Sequence, residues 1–551
     1  MMRTRNVVSG SAFSHLLVLT LLAILFPNAT RIARADKAQA LHLTLRSRIE
    51  TEPGSGRFHA ITRTEKWIPK QTAVIVCDMW DLHHCLNATR RGAELAPRMN
   101  QVLKTARKRG VTIIHAPSNC MDAYKSHPAR AHALKTPKAK SFPREIGKWC
   151  YKIPSEEKGD YPIDQSDGGE DDDLKEHAAW AAKLKAMGRN PRAPWKKQTD
   201  LLDIESGDYI SDDGQEIWSI LEHRGIKNVI LVGVHTNMCV LGRPFGLRQM
   251  ARNGKNVVLM RDMTDTMYNP KRKPYVSHFT GTDLIVAHIE KWVCPTVTSD
   301  QILGGKPFRF KNDRRPRLVI LMAEKEYKTN ETLPKFAATH LGKHFSVEYV
   351  HADPKNRNNI PGIEAVKNAD VLFVSVRRRA LPEKDLALIR KHVKAGKPIV
   401  GIRTASHAFS LRGKKPETGH AVWEEFDAAV WGGHYTNHHG NRFKPAIQVI
   451  SDSKDHPILH GVNFDGFVSG GSLYKVRPLK KTTTVLLNGS IENAPSEPVA
   501  WTNRPKTGNR AFYTSLGHVK DFESPEFNKF LRNAVYWAAG VKVVDDVPPG
   551  F

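Results

Sequence analysis

No cysteine follows Cys294 in this chain of 551 residues, so the part beyond that residue holds no thiolate nucleophile. Acidic residues are also scarce: 56 Asp and Glu stand against 84 Lys and Arg, which gives a net charge of +28. Such an excess suits a nucleic acid or an anionic surface. The chain nevertheless lacks helix-turn-helix, zinc-finger and stacked-aromatic patterns, and its basic residues are scattered. We therefore predict a solvated basic surface and no nucleic-acid partner.

Long apolar runs are missing as well. The stretch Leu16–Phe26 is shorter than the roughly 20 residues that a membrane-spanning helix needs. Arg3 and Arg5 precede it, and Ala33-Arg34-Ala35 supplies the small-x-small pattern that signal peptidase reads. A cleaved signal peptide over residues 1–35 is predicted, with a retained N-terminal anchor as the alternative. The mature chain is then expected in the periplasm or outside the cell, without a membrane span.

Alternating strand and helix patterns predict an α/β protein of two consecutive domains. The continuous apolar run Thr72–Cys77 is typical of a strand buried on both faces, and a helical stripe over 90–109 ends at Gly110. The same rhythm recurs after position 316, so each domain is expected to hold a mainly parallel sheet with helices on both faces. The predicted segments are a strand-bearing lead-in at 36–70, a first domain at 71–303, a linker at 304–316 and a second domain at 317–541.

A stretch rich in Lys, Pro and Trp interrupts the first domain at about 120–210. We interpret it as an insertion on the ligand side of the sheet. It contains the acidic run Asp167–Asp173, which lacks the alternate-residue ligand spacing of a calcium loop. This run is predicted to be solvated.

Two reactive side chains are predicted at strand ends of the first domain. Asp78 directly follows an apolar strand, at the carboxyl edge where open α/β sheets place their ligands. Cys239 lies in a strand-to-helix turn, where backbone N–H groups lower a thiol pKa and are available to an oxyanion. A neighbouring carboxylate can take the thiol proton and pass it to a leaving group. A buried structural cysteine is the alternative interpretation.

The residues around this pair resemble a known family. Val74–Asp78 resembles the opening strand and aspartate of the isochorismatase/nicotinamidase superfamily, and Gly233–Val240 resembles its nucleophile signature, Gly-Val-x-Thr-Asp/Asn-x-Cys-Val. The resemblance implies an isochorismatase-like hydrolase that cleaves a C–N bond of a small amide-type substrate through a thioester. Cys239 would be the nucleophile and Asp78 the base. The amides of His235 and Cys239 would form the oxyanion hole, with a cis peptide before His235.

The chain departs from this family in its third catalytic residue, a lysine. The matching stretch reads Ile204–Asp208 and has no lysine. Either Lys196 or Lys197 of the insertion supplies the cation, or the site works without it. The resemblance also leaves a divalent metal open, because nicotinamidases hold one with Asp and His after the second strand. The candidates near that place, none with the family's spacing, are His83, His84, His115, Asp122 and His127.

A second group of polar residues follows the strand at Pro398–Ile402. Ser406 lies where class I glutamine amidotransferase-like folds carry a nucleophile, but the Gly-x-Ser-x-Gly elbow is missing. Trp431–His439 and Arg510–His518 resemble the trehalose-utilisation (ThuA-like) family, a flavodoxin/amidotransferase-like fold, within a match of about 316–541. Arg403 stands where that family usually has a histidine. The resemblance implies a carbohydrate-related ligand in a pocket of Arg403, His407, His434, His438, Tyr474 and His518.

Together these patterns favour an exported cysteine hydrolase fused to a ThuA-like domain. One alternative is a protein that binds a ligand or sugar without turnover, suggested by the missing lysine and by Arg403. Another places metal-assisted sugar modification in the second domain, with His434, His438 and His518 as metal ligands. The sequence assigns no cofactor beyond that open metal, and a homo-oligomer is compatible with each hypothesis.

Overall fold

The computed structural model describes residues 40–543, so the predicted signal peptide lies outside the described residues. Eight strands form the first sheet: β1 (Leu41–Glu50), β2 (Phe58–Trp67), β3 (Thr72–Cys77), β4 (Thr112–Ala116), β5 (Tyr209–Ile210), β6 (Asn228–Val234), β7 (Asn256–Asp265) and β8 (Thr296–Val297). Their order is β2-β1-β8-β7-β6-β3-β4-β5. Neighbours from β8 to β5 are parallel, whereas β1 pairs antiparallel with β2 and β8. All of β3 is buried, as its apolar sequence predicts.

The helices of this domain are α1 (Leu86–Lys108), α2 (Pro128–Lys135), α3 (Leu174–Ala186), α4 (Gly214–His223), α5 (Leu247–Arg252), α6 (His278–Trp292) and α7 (Asp300–Leu303). Helix α1 buries the predicted stripe but begins earlier than position 90. The Asp172 carboxylate accepts hydrogen bonds from the amides of Leu86 and Asn87, so the helix is capped from the insertion. A local pattern cannot report a cap contributed from 86 residues away.

The lead-in and the insertion are both part of the first domain's structure. Strands β1 and β2 extend the sheet as a long hairpin whose pairing runs from Leu41 with Trp67 to Glu50 with Phe58. The prediction that the acidic run is solvated is wrong for two of its residues. Asp171 forms a bidentate ion pair with Arg91, and Asp172 caps α1. Both carboxylates are mostly buried, at 9% and 2% side-chain exposure.

The second sheet is also mainly parallel and also has eight strands, in the order β10-β9-β11-β13-β20-β19-β18-β16. The run from β10 to β20 is parallel, and β19, β18 and β16 are antiparallel. The bounds are β9 (Arg317–Ala323), β10 (Ser346–His351), β11 (Val371–Val376), β13 (Ile399–Ile402), β16 (Ala446–Val449), β18 (Thr483–Ser490), β19 (Glu497–Asn503) and β20 (Ala511–Thr514).

Two short strand pairs lie outside this sheet: β12 (Leu381–Pro382) with β14 (His420–Ala421), and β15 (Asn437–His438) with β17 (Tyr474–Lys475). The helices are α8 (Thr329–His340), α9 (Glu383–Lys394) and α10 (Pro525–Ala539). The predicted class, two α/β domains with mainly parallel sheets, is confirmed.

Ion pairs of two mostly buried arginines join the two domains. Arg48 of β1 reaches Glu290 of α6 at 3.1 Å and Glu348 of β10 at 3.0 Å. In the linker, Arg315 pairs with Asp283 of α6 at 2.9 Å. Breaking such a pair by removing one partner leaves an uncompensated buried charge, so these contacts fix the junction.

The described residues contain six buried free cysteines and no disulfide. Within residues 40–543, no helix combines the length and the apolar character that crossing a bilayer requires.

Candidate active site

The register of two central strands brings the predicted pair together. Strands β3 and β6 are parallel neighbours, and Cys77 pairs with Gly233. Asp78 therefore leaves the sheet beside the turn that carries Cys239. Gly233 is required here because a Cβ at this position would lie 2.0 Å from the carbonyl oxygen of Cys77.

Asp78 is fully buried, in a left-handed backbone conformation with a φ of 47°. Its Oδ1 accepts a hydrogen bond from the Ser118 amide at 2.7 Å, and its Oδ2 accepts one from Arg243 Nε at 2.9 Å. The Cys239 thiol lies close enough to the same carboxylate for each group to shift the pKa of the other. The thiol, the carboxylate and the guanidinium therefore form one constellation.

Cys239 lies on a single wide helical turn, Thr236–Val240, directly after β6. The peptide between Val234 and His235 is cis, as the family resemblance implies. A backbone hydrogen bond from His235 reaches the Cys239 sulfur. Asn237 holds the turn in place, because its side-chain amide exchanges two hydrogen bonds with the main chain of Met267, both at 2.9 Å. The sulfur is thus held at a fixed position beside the predicted oxyanion-hole amide of His235.

Burial dominates the electrostatics of this constellation. Burial raises the pKa of Cys239 well above its ordinary value, and the charge of Asp78 raises it further, against the opposing effect of Arg243. Burial also raises the pKa of Asp78, although Arg243 and hydrogen bonds from Cys239 and Ser118 act in the other direction. The resting sulfur is therefore a thiol. Its neighbour is a carboxylate of more than ordinary basicity, as proton transfer from a thiol requires.

Arg243 places a positive charge beside Asp78, where the family resemblance leads one to expect a lysine. It lies four residues after Cys239, and its guanidinium stacks over the Trp149 ring at 5.4 Å. Lys197, one of the two predicted lysines, instead binds Asp200 through its ammonium group at 2.7 Å. The other, Lys196, is exposed and donates its backbone amide to Asp81. The i to i+4 spacing on a helical turn was the signal that could have identified Arg243.

An aromatic wall adjoins the cysteine turn. Trp80 and Trp195 stack with ring centroids 4.4 Å apart, and His83 lies 4.8 Å from His235. Burial lowers the pKa of His235 to about 3 and holds that of His83 well below its ordinary value. Both rings are neutral at physiological pH, so this wall carries no charge on its histidines.

The predicted metal ligands do not converge. His115 is bonded to Gln198 at 3.1 Å and Asp208 at 3.2 Å, away from His83 and His84. The His83 Nδ1 accepts the Cys85 amide, and the His84 Nε2 pairs with Glu170. One triplet of ligand atoms within residues 40–543 lies close enough for an ion, from Cys85, Asp171 and Asp172, but Arg91 and backbone amides already satisfy its carboxylates. The residues present do not fit the metal that the resemblance left open.

Tyr474 is the centre of a second cluster, at the carboxyl edge of the second sheet. Three of the predicted pocket residues surround its ring, with separations of 4.8 Å to the guanidinium carbon of Arg403, 6.1 Å to the His407 ring and 6.2 Å to the His438 ring. His518 joins through Tyr327, whose ring lies 6.0 Å from its own.

The sequence missed two aromatic members of this cluster and included one residue that stands apart. Tyr327 lies 4.4 Å from the Arg403 guanidinium carbon, and Tyr435 stacks on His407 at 4.3 Å. His434 is exposed, and its backbone amide bonds to Val476. His434, His438 and His518 do not bring three ligand atoms together in the part of the chain that the structure describes. The metal site proposed for this domain is therefore not formed.

Asp427, near this cluster, is predicted to make stability depend on pH. Its Oδ2 accepts the Tyr435 amide at 2.6 Å, its Oδ1 has no partner, and burial raises its pKa to about 7 from 3.8. The folded state binds this proton more tightly, so the stabilisation is complete below pH 3.8 and lost as pH rises through about 7. This pH dependence amounts to up to about 4 kcal/mol in the free energy of unfolding, and we expect Asp427→Asn to abolish it.

The measurement is urea denaturation of both proteins at several pH values between 4 and ~8. The gain in stability of the variant over the wild type should grow as pH rises, because asparagine keeps the acceptor for Tyr435 without the titrating charge. A constant difference at all pH values would contradict the prediction.

Comparison with known proteins adds one family match. Residues 317–538 match the family model described as ThuA, trehalose utilisation. No curated protein matches the chain.

Three solved structures are similar to parts of it. A ThuA-like protein from Bacteroides uniformis is 20% identical, covering 42% of this chain and 95% of that one, with a TM-score of 0.31. A cysteine hydrolase from Pseudomonas syringae pv. phaseolicola is 16% identical, covering 43% and 92%, with a TM-score of 0.26. An isochorismatase family protein from Burkholderia thailandensis is 13% identical, covering 42% and 93%, with a TM-score of 0.23. Because these identities and TM-scores are low, a function can be inferred only from the side-chain geometry.

Proposed function

We propose that this protein is an exported cysteine hydrolase of the isochorismatase-like type, which cleaves a C–N bond of a small amide through a Cys239 thioester. The observation that carries the proposal is the buried constellation of Cys239, Asp78 and Arg243 at the ends of β3 and β6. A purely structural cysteine needs neither a buried carboxylate nor a guanidinium beside it. Asp78 is fully buried and Arg243 is about one-fifth exposed, and holding a charge in such a place costs stability, which a role in catalysis would explain.

In the acylation half-reaction, the Cys239 thiol gives its proton to Asp78 as the sulfur attacks the amide carbonyl carbon. The amides of His235 and Cys239 are placed to stabilise the oxyanion of the tetrahedral intermediate. Asp78 then returns the proton to the amide nitrogen. The C–N bond breaks, ammonia or an amine leaves, and the acyl group stays on sulfur.

In the second half-reaction, Asp78 takes a proton from water, whose oxygen attacks the thioester carbonyl. The C–S bond breaks, the product leaves as a carboxylic acid, and the proton returns to the Cys239 sulfur. Arg243 holds Asp78 through Oδ2 and offsets the negative charge that moves between carboxylate and sulfur. These steps draw only on Cys239, Asp78, Arg243 and backbone amides, and the histidines near the site have protein partners of their own.

The shape of the aromatic wall favours a flat acyl group. Trp80 and Trp195 stack on each other, the neutral His83 ring lies nearly parallel to Trp195, and the neutral His235 ring meets His83 edge-on. An uncharged aromatic or conjugated amide would bury its apolar area against these rings and would need no charged partner there. The second domain would bind a carbohydrate-related ligand at the Tyr474 cluster.

A partitioning experiment tests the thioester. The full chain is incubated with a panel of aromatic and aliphatic primary amides, and ammonia release identifies substrates. Adding hydroxylamine to the best substrate should then yield a hydroxamate at the expense of the acid, because the nucleophile intercepts the acyl group on sulfur. A reaction without protein corrects for direct aminolysis.

Two outcomes would contradict the proposal. If the acid forms and hydroxylamine yields no hydroxamate, water attacks the amide directly. Failure of the whole panel, with no acyl adduct on Cys239 by mass spectrometry, would favour the alternative of a protein that binds without turnover.

A further inference from the structure

Arg403 is a buried cation whose hydrogen-bonding capacity is incompletely used. It directly follows β13 with a φ of 53° and is 1% exposed. Its Nη1 donates to the carbonyl oxygens of Ser472 and Ser515. Its Nε and Nη2 have no partner, and no carboxylate within residues 40–543 lies at ion-pair distance. The charge of Asp521 acts on this guanidinium without forming an ion pair with it. Buried charges are normally paired, so Nε and Nη2 leave two donor groups available to an anion.

The surroundings fix that guanidinium in place. Tyr327 and Tyr474 contact it at 4.4 Å and 4.8 Å from its carbon to the ring centroids. Gly471 lies directly against it, since a Cβ there would be 2.2 Å from Nη2. The two rings hold the guanidinium group in place without neutralising its charge. A preorganised guanidinium fork matches the geometry of a carboxylate or phosphate.

The rim of the same pocket carries further unneutralised positive charge. Arg378 and Arg412 both lie close enough to lower the pKa of the buried His407, and neither forms an ion pair within the described range. Arg377 does form one, with Glu326 at 2.7 Å. Arg377 and Arg378 follow β11, the parallel neighbour of β13, so they lie at the edge where open α/β sheets bind ligands.

We infer that the second domain binds a small ligand that carries an oxyanion, a carboxylate or a phosphate, on a hydroxylated ring. The oxyanion pairs with Nε and Nη2 of Arg403, and the ring lies near the stacked faces of His407 and Tyr435. Tyr327 belongs to the segment between β9 and α8 and covers the fork, so it moves aside when the ligand enters. Sugar acids and sugar phosphates share this chemistry. The inference goes beyond the hydrolase proposal and does not depend on it.

Calorimetric titration of the full chain at low ionic strength tests this site. The probes are glucuronate, glucose 6-phosphate, inorganic phosphate and neutral glucose. Glucuronate or glucose 6-phosphate should bind at least about 10-fold more tightly than glucose, and whichever binds more tightly identifies the oxyanion. Arg403→Gln should weaken that binding about 10- to 100-fold. The matched control is Arg390→Gln, because Arg390 is an exposed arginine on α9, stacked over Trp423 outside the pocket.

Two further variants keep the test valid should Arg403→Gln fold poorly. Arg378→Gln and Arg412→Gln remove rim charges, and each should weaken the anionic probe several-fold and reduce its salt dependence. Cys239→Ala should leave binding unchanged, which separates this site from the hydrolase. Equal affinity for glucose and the anionic probes would overturn the inference. So would the absence of binding to the folded wild type, or unchanged binding in both Arg403→Gln and Arg378→Gln.

Discussion

Cys239→Ala is expected to lower kcat on the best amide substrate by roughly 10⁴- to 10⁶-fold, because the sulfur forms the bond that carries the acyl group. The amides of the oxyanion hole and the binding surface remain, so a small residual rate above that of water is expected. Ammonia release under saturating substrate measures the effect, with thermal unfolding as the check of folding.

Cys294→Ala is a matched control for this prediction. Both cysteines are 8% exposed and belong to the same domain, but Cys294 has neither Asp78 nor Arg243 beside it. The two variants should lose similar amounts of stability, and only Cys239→Ala should lose turnover. Retention of more than about a tenth of the wild-type kcat in Cys239→Ala would assign the chemistry to another residue.

The places of Cys239 and Asp78 could be predicted because both depend on short-range rules. A run such as Thr72–Cys77 is a strand buried on both faces, and the residue after such a strand reaches the carboxyl edge of the sheet. Cys239 lies on the helical turn that comes after β6. Two neighbouring parallel strands then suffice to bring their following residues together.

The place of Arg243 could not be predicted by the same rule. A family resemblance does not specify which helix, strand or loop carries the positively charged side chain. A guanidinium reaches farther than its place in the chain suggests, and Arg243 turns back over the helical turn to Asp78. The insertion posed a similar problem. Asp172 looked like part of a solvated acidic run, yet it is the cap of α1, a contact over long range that no local pattern encodes.

The second domain shows the same limit with aromatic residues. Tyr474 and His407 were predicted as pocket residues, whereas Tyr327 comes from the loop after β9 and reaches Arg403 only through the fold. His434 lies in the predicted segment but is exposed, because the short strand β15 begins after it at Asn437 and pairs with β17. Membership of a motif did not determine which side chains point inward.

Asp78→Asn should lower kcat/KM about 10³- to 10⁴-fold while Cys239 remains reactive. The amide can neither take the thiol proton nor give one to the leaving nitrogen, so both half-reactions lose their proton carrier. In the wild type, kcat/KM should rise with pH through the raised pKa of Asp78, because only its ionised form is a base. The variant should lack this rise.

Alkylation by iodoacetamide separates this catalytic role from a structural one. The Asp78 charge raises the pKa of Cys239 and Arg243 lowers it, so Asp78→Asn should speed alkylation near pH 8 and Arg243→Gln should slow it. Turnover should fall in both variants. Slower alkylation in both would mean that the substitutions merely distort the turn. Unchanged alkylation and unchanged turnover in both would show that neither charge acts on the sulfur, and catalysis by Cys239 would lose its physical basis.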